Sequence, residues 1–302
     1  MLLKMLIRVI RAPFFTAVIV PTLLGTAIAW HKGHFHLGYF LLALFGAIST
    51  NAATNTANDY FDHLSGDDEY NRELTPFSGG SRVIQEEILS PWQMLALSGA
   101  FYAIVIAIGL YLSYVRGWTL LYLGAAGVFI SLFYNPWIAY FGHGLGELVT
   151  GLACGPITVC GAYFVQAQRI TPEAIWASLP VGFLIALILY INEFPDYEAD
   201  KAASKRTIVV QLGRQRAVPG YIIIIAAAYV SILAGILMGL LPYTTLLAFL
   251  TLPLAYQGVQ GVRRFYADTP QLIPTNALTI QVHLATGLLL SLAYVIDKAL
   301  WF

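Results

Sequence analysis

The sequence predicts an all-α polytopic membrane protein with nine transmembrane helices, and three observations carry that reading. The chain of 302 residues is 58 % hydrophobic and only 11 % charged, where soluble domains carry about 25 % charge. Its mean hydropathy is positive. Apolar stretches recur at the length that a bilayer core requires, roughly 20 residues of helix. Nine segments meet that length: 12–30, 38–61, 92–114, 118–135, 144–165, 173–194, 217–239, 241–262 and 276–297. Residues 1–302 therefore read as one integral-membrane domain.

The segments differ in what they carry. The first follows Arg11 and contains Pro21 and Gly25; proline is tolerated in membrane helices and often only kinks them. It lacks a small-residue cleavage site and reads as a span rather than a signal peptide. The second ends in an acidic run. The fifth is rich in glycine, with Gly144, Gly146, Gly151 and Gly155-Pro156, and small residues at such spacings let helices approach closely. Glu147 stands out within it, because intramembrane ionisable groups are functional candidates by default. Cys154 and Cys160 lie six apart, on different helical faces, and read as small packing residues. The sixth segment ends in a second acidic run. The seventh and eighth are separated only by the turn Leu240-Leu241-Pro242.

An odd number of spans puts the termini on opposite sides. Of the 16 Lys and Arg, twelve then fall on the amino-terminal side, and only Lys32, Arg116, Arg169 and Lys298 on the other. That bias makes the amino-terminal side cytoplasmic and the expected location a bacterial-type inner membrane. The acids follow the same side, with only Glu173 and Asp297 opposite. Acidic residues contribute little to topology, so their clustering calls for a chemical cause. Zero net charge gives no case for nucleic acid binding, and nothing implies an obligate protein partner.

The acids fall in two matched runs. Asn58-Asp59-x-x-Asp62, with Asp67 and Asp68 beyond, is paralleled 134 residues later by Asn192-Glu193-x-x-Asp196, with Asp200 beyond. Arg72 and Arg206 each lie fourteen places after their Asn. Helical spacing puts Asn58 and Asp62 on one face, and Asn192, Asp196 and Asp200 on another, provided the helix survives Pro195. Oxygen-only ligand sets suit magnesium, which shares its shell readily with phosphates. No His or Cys set has zinc spacing. His31, His34 and His36 lie on the opposite side and read as loop residues, as does His63 beside the first run. A solvated loop explains one acidic run, but a repeated device explains two better. Arg72, Arg82, Lys201, Lys205 and Arg206 supply the charge that a diphosphate needs.

Asn58-Asp59-x-x-Asp62 with Asp68, and Asp196-x-x-x-Asp200, resemble the two aspartate-rich motifs of the UbiA superfamily of intramembrane prenyltransferases. Thr75–Ile84, Val20–Ala27 and Lys205-Arg206-Thr207 resemble its naphthoate prenyltransferase branch. The resemblance covers nearly the whole chain. It implies a helical bundle around a central cavity, with a prenyl diphosphate held through Mg2+ at a polar cap and a lateral portal for the lipid tail. By that resemblance Asn58, Asp59, Asp62 and Asp68 hold one magnesium, with Asp67 an alternative to Asp68; Asp196 and Asp200 hold a second. Asp59, Asp62, Asp196 and Asp200 become the catalytic carboxylates. Asn58, Asn192, Arg72, Arg82, Lys205 and Arg206 become diphosphate contacts, and Tyr134 lines the site. Tyr134 lacks the Lys that some relatives place four residues later.

The implied reaction is prenyl transfer to an aromatic quinone precursor, 1,4-dihydroxy-2-naphthoate in menaquinone biosynthesis, with Arg11 and Arg82 as candidates for its carboxylate. 4-Hydroxybenzoate, homogentisate, haem and glycerol-phosphate acceptors are the alternatives within the superfamily. A transporter is the rival from another class. It calls for ionisable pairs near the midplane, whereas these acids gather at one edge.

Overall fold

The computed structural model describes residues 2–71, 75–77, 80–138 and 144–301. Twelve helices account for most of them: α1 (Leu2–Val9), α2 (Ala12–His31), α3 (Leu37–Ser65), α4 (Asp67–Tyr70), α5 (Pro91–Arg116), α6 (Thr119–Phe133), α7 (Leu145–Ala167), α8 (Pro172–Ala202), α9 (Ile208–Leu212), α10 (Arg214–Leu237), α11 (Tyr243–Phe265) and α12 (Thr269–Trp301). Among the described residues eight helices are long and apolar enough to cross a membrane, and α6 is a shorter apolar ninth. Its 15 residues span only about 22 Å at 1.5 Å each. The difference from nine full spans arises at Tyr134–Ile138, where α winding gives way to a wider π turn.

Local chemistry sets the boundaries. Ser90 and Gln93 form a capping box at the start of α5, with Pro91 in the first turn. Thr171 accepts the Ala174 N–H at 3.3 Å to open α8. Gly66, at φ 77°, closes α3, a conformation that glycine adopts without strain. Two helices overrun the predicted spans. α3 reaches Ser65 instead of 61, and α8 continues through Pro195 to Ala202 instead of stopping at 194. Both acidic runs are thereby carried largely on helix.

α8 lies at the centre. One part of its surface joins Val20, Leu24 and Ile28 of α2 and Tyr163 of α7 through Val181 and Ile185. Another joins Tyr221 and Ile225 of α10 through Leu184, Leu187, Ile191 and Phe194. The outer surface is apolar, and Trp92, Tyr114, Trp118 and Tyr243, all near helix ends, are exposed, as in the aromatic belts of membrane proteins. Contacts between charged groups respect the predicted sides. Arg8 meets Glu86, whereas Lys32 meets Glu173 at 2.7 Å and His31 meets Asp297 at 2.9 Å.

The glycines of α7 act as expected. A π turn at Ala153–Ile157, around Pro156, brings Gly155 against α8. A Cβ added to Gly155 would lie 2.5 Å from the Gly182 Cα. Backbone cannot yield as a side chain can, so Gly155→Val is expected to destabilise the bundle by about 1–3 kcal/mol. A lowered thermal midpoint in detergent checks this; an unchanged midpoint refutes the close approach.

Candidate active site

The end of α3, α4 and the end of α8 converge on one point. Asp62 comes from the last turn of α3. Gly66 turns the chain so that Asp67 and Asp68 follow on α4. Carboxylate oxygens of Asp62, Asp67 and Asp68 all lie within 4.8 Å of one another, and all three residues are buried. From the opposite side come Asn192, Asp196 and Asp200 on α8. Asn71 and Lys205 join the patches: Asn71 Nδ2 donates to Asp196 Oδ1 at 2.8 Å, and Lys205 Nζ lies 3.0 Å from Asp62, 2.6 Å from Asp67 and 3.7 Å from Asp200.

This donor set fits a hard divalent ion. It consists of oxygen ligands only, and Asp67 Oδ1 is a buried acceptor with no hydrogen-bond partner. Gly80 closes the rear of the cluster at φ 73°; a Cβ there would lie 2.7 Å from Asp68 Oδ1, so any other residue would displace the carboxylate. Burial first, and then the charge of Asp62, push the Asp68 carboxyl up to about 8, against the opposing pull of Arg11.

Beneath the patches runs a cavity of about 490 Å³. α3 lines it with Ala43, Gly46, Ala47, Thr50, Asn51, Thr54, Asn55, Asn58 and Asp62, a stripe of helical period. From Ala43 to Asp62 that stripe covers about 28 Å at 1.5 Å per residue, close to the thickness of a bilayer core. Ile108 and Leu112 of α5, Leu123 of α6, Val165 of α7 and Ile188 of α8 add apolar walls, and the acids Glu147 and Glu193 also line it. A site with acids at its mouth and hydrocarbon along its depth suits a molecule with a charged head and a greasy tail.

Most of the expected residues meet here. Asn58, Asp62, Asp68, Tyr134, Asn192, Asp196, Asp200, Lys205 and Arg206 all line the cavity. Asp59 does not. Its carboxylate turns to the Arg11 guanidinium and to the Ser81 hydroxyl, because it lies on the next face of α3. Asn58 accepts from Arg11 at 3.0 Å and donates to Asp62 at 2.7 Å, so it orients a carboxylate. Arg82 donates to the Asp68 carbonyl and borders a neighbouring chamber. Arg72 lies outside the described residues. The sequence did not single out Asn71 or Ser81, whose roles depend on a turn that motif spacing cannot show. Glu193 went unassigned, although its place one after Asn192 mirrors that of Asp59. Glu147 and Glu193 are buried on facing helices and accept the Ile208 and Val209 N–H groups at 3.1 and 3.4 Å.

Fold and site together describe a helical bundle of membrane-length helices with an oxygen-only donor set over a deep, largely apolar cavity. The model of the UbiA prenyltransferase family matches residues 18–273, and the chain belongs to that family. It is 29 % identical over 297 residues to the 1,4-dihydroxy-2-naphthoate octaprenyltransferase of Bacillus subtilis, covering 97 % of this chain and 93 % of that one. It is 27 % identical over 295 residues to the 2-carboxy-1,4-naphthoquinone phytyltransferase of Synechocystis, covering 96 % and 93 %. A UbiA homolog from Aeropyrum pernix shares the fold with a TM-score of 0.71 at 19 % identity, over 93 % of this chain and 97 % of that one. A homolog from Archaeoglobus fulgidus, solved with DMAPP and Mg2+, has a TM-score of 0.57 at 15 % identity over 94 % and 98 %.

Proposed function

We propose that this enzyme transfers a prenyl group from a prenyl diphosphate to 1,4-dihydroxy-2-naphthoate, with Mg2+ as its resident ion. The observation that carries the reading is the convergence of two acidic patches over one deep apolar cavity. The names of the Bacillus and Synechocystis relatives favour the naphthoate acceptor. The Archaeoglobus homolog solved with DMAPP and Mg2+ favours the donor and the ion. Asp62, Asp67 and Asp68 would hold one ion, and Asp196 and Asp200 a second. Bound magnesium supplies Lewis-acid neutralisation of the departing diphosphate.

The chain's own residues do the rest. Lys205 and Arg206 pair with diphosphate oxygens. Asn58 and Asn71 hold Asp62 and Asp196 in place. The apolar walls keep water from the allylic cation as its C–O bond breaks, and the Tyr134 ring offers that cation a π face. The acceptor ring attacks the allylic carbon, and the new C–C bond replaces the bond to the carboxylate, which leaves as carbon dioxide. The distribution of Lys and Arg supports a site at the cytoplasmic leaflet of an inner membrane. Membranes containing the enzyme, given a prenyl diphosphate and each aromatic acceptor in turn, should yield a decarboxylated prenyl naphthoquinol by mass spectrometry. Product from 4-hydroxybenzoate alone would overturn the acceptor, and no product from any acceptor would overturn the reaction.

Magnesium binding should depend on pH in a defined direction. The Asp68 carboxyl, pushed up to about 8, holds its proton at neutral pH when no ion is bound, and an ion requires the carboxylate. Apparent affinity should therefore rise with pH through neutrality and level off above about 8. Unfolding releases Asp68 to an ordinary acidic pKa, so the folded state binds more protons between those values. Metal-free stability should accordingly fall as pH rises across that window. Magnesium titrations of the thermal midpoint at several pH values check both signs; affinity independent of pH contradicts them.

A further inference from the structure

A second cavity, of about 370 Å³, lies beside the first on the same face. That volume is within the range of small-molecule sites, roughly 300–1,000 Å³, and is too small for a long prenyl tail. Its walls come from α1, the start of α2, residues 75–77 and residues 80–82. Lys4, Arg8, Arg11 and Arg82 contribute four cations, and none of its described lining residues is acidic. Phe14 and Phe77 add aromatic faces. Arg11, Phe14, Phe77 and Gly80 line both cavities, so the two share a wall at the acidic cluster.

Arg11 is the notable group at that junction. Its terminal nitrogens are held by Asn58 and Asp59, but its Nε is buried with no hydrogen-bond partner. Such a donor is costly to bury and marks a place for an acceptor atom. Arg11 at φ 50° and Arg82 at φ 63° both have left-handed backbones, which is uncommon outside glycine. Arg8 is fixed against Glu86 and the Ser81 carbonyl, the latter at 2.8 Å. Lys4 is exposed at the rim.

We infer that this basic chamber is the entrance and first binding site of the aromatic acceptor, which it takes up by the carboxylate and passes to the reaction cavity at Arg11. The choice of acceptor rests on the proposed reaction. A carboxylate satisfies a guanidinium edge, and a flat two-ring acid packs on phenylalanine faces. The diphosphate substrate is excluded by the absence of metal-holding acids on these described walls and by the length of its tail. The cations at the rim draw an anionic arene inward, an effect that raises association rates by about 10- to 1,000-fold.

Equilibrium dialysis with 1-hydroxy-2-naphthoate tests this on purified enzyme in phosphatidylcholine nanodiscs, with 1-naphthol as the probe lacking the carboxylate. The double variant Lys4→Glu, Arg8→Gln should bind the acid about tenfold more weakly and bind 1-naphthol as before. Lys4→Glu alone should show a smaller loss of the same kind, which guards against misfolding where Arg8 meets Glu86. In turnover, KM for the arene should rise while KM for the prenyl diphosphate stays unchanged. An active enzyme whose affinity for the acid is unmoved by either variant overturns the chamber and leaves the reaction standing. An enzyme inactive on every arene that still binds the acid in this charge-dependent way overturns the reaction and supports the chamber. Variants that lose affinity for phosphatidylglycerol nanodiscs but not for the acid would assign the chamber to a lipid headgroup and overturn the inference.

Discussion

Replacing Asp62 with alanine is expected to lower kcat/KM for prenyl transfer by on the order of a thousandfold, at saturating magnesium. Asp196→Ala should fall in the same range. Asp62 is the carboxylate at which the Asn58 hydrogen bond, the Lys205 ion pair and the acidic cluster meet. It receives a hydrogen bond from Asn58 at 2.7 Å, pairs with Lys205 at 3.0 Å and shares the cluster with Asp67 and Asp68. Its loss removes a ligand and leaves Asn58 with nothing to orient. Folding should survive the change, because deleting one of three crowded carboxylates relieves repulsion. The thermal midpoint without magnesium should hold or rise while activity falls. Asp59→Ala should behave differently. Asp59 anchors Arg11 and Ser81 and does not line the cavity, so its loss should be smaller and should appear in KM for the acceptor. Full activity in Asp62→Ala would remove the metal assignment altogether.

Sequence revealed the parts of this fold and site that depend on periodicity. Membrane-length apolar runs gave eight long helices closely, and matched Asn-acid-x-x-Asp runs gave both acidic patches, because residues four apart share a helical face. α6 fell short because hydropathy counts apolar residues without registering where α winding gives way to the π turn at Tyr134. The same limit hid the overrun of α8, where a proline inside a polar run looked like an end but sits within the helix. Asp59 faces away from the cavity for a geometric reason: it is one residue from Asn58, so it points about 100° around the helix from it. Asn71 and Ser81 reach the site only through the Gly66 turn and the chain leading to α5, and no spacing rule encodes those paths. The basic chamber was partly legible. Arg11 and Arg82 could be suspected from charge alone, whereas Lys4 and Arg8 join them only because α1 folds back over residues 81–84, with Val9 on Val83 and Ile84.

Lys205→Met should separate folding from chemistry. Lys205 places one ammonium among Asp62, Asp67 and Asp200 at 3.0, 2.6 and 3.7 Å. Those carboxylates are nearly buried, with side-chain exposures of 9 %, 10 % and 7 %. Removing one partner of a buried ionic group costs about 3–5 kcal/mol, because the charges left behind have lost their compensation. That loss should appear in full in a chelator. Magnesium supplies positive charge to the same oxygens, so saturating magnesium should restore much of the thermal midpoint. Activity should not recover with it. With ions on the carboxylates, the ammonium can join Arg206 in gripping the leaving diphosphate, and its absence should cost about a hundredfold in kcat. Lys205→Arg should rescue little, since a planar fork cannot point at three converging carboxylates as an ammonium does. A midpoint that falls equally with and without magnesium would mean that lysine and metal do not share these oxygens. If it recovers with magnesium while turnover does not, the same residue holds the two patches together before the ion arrives and holds the substrate afterwards.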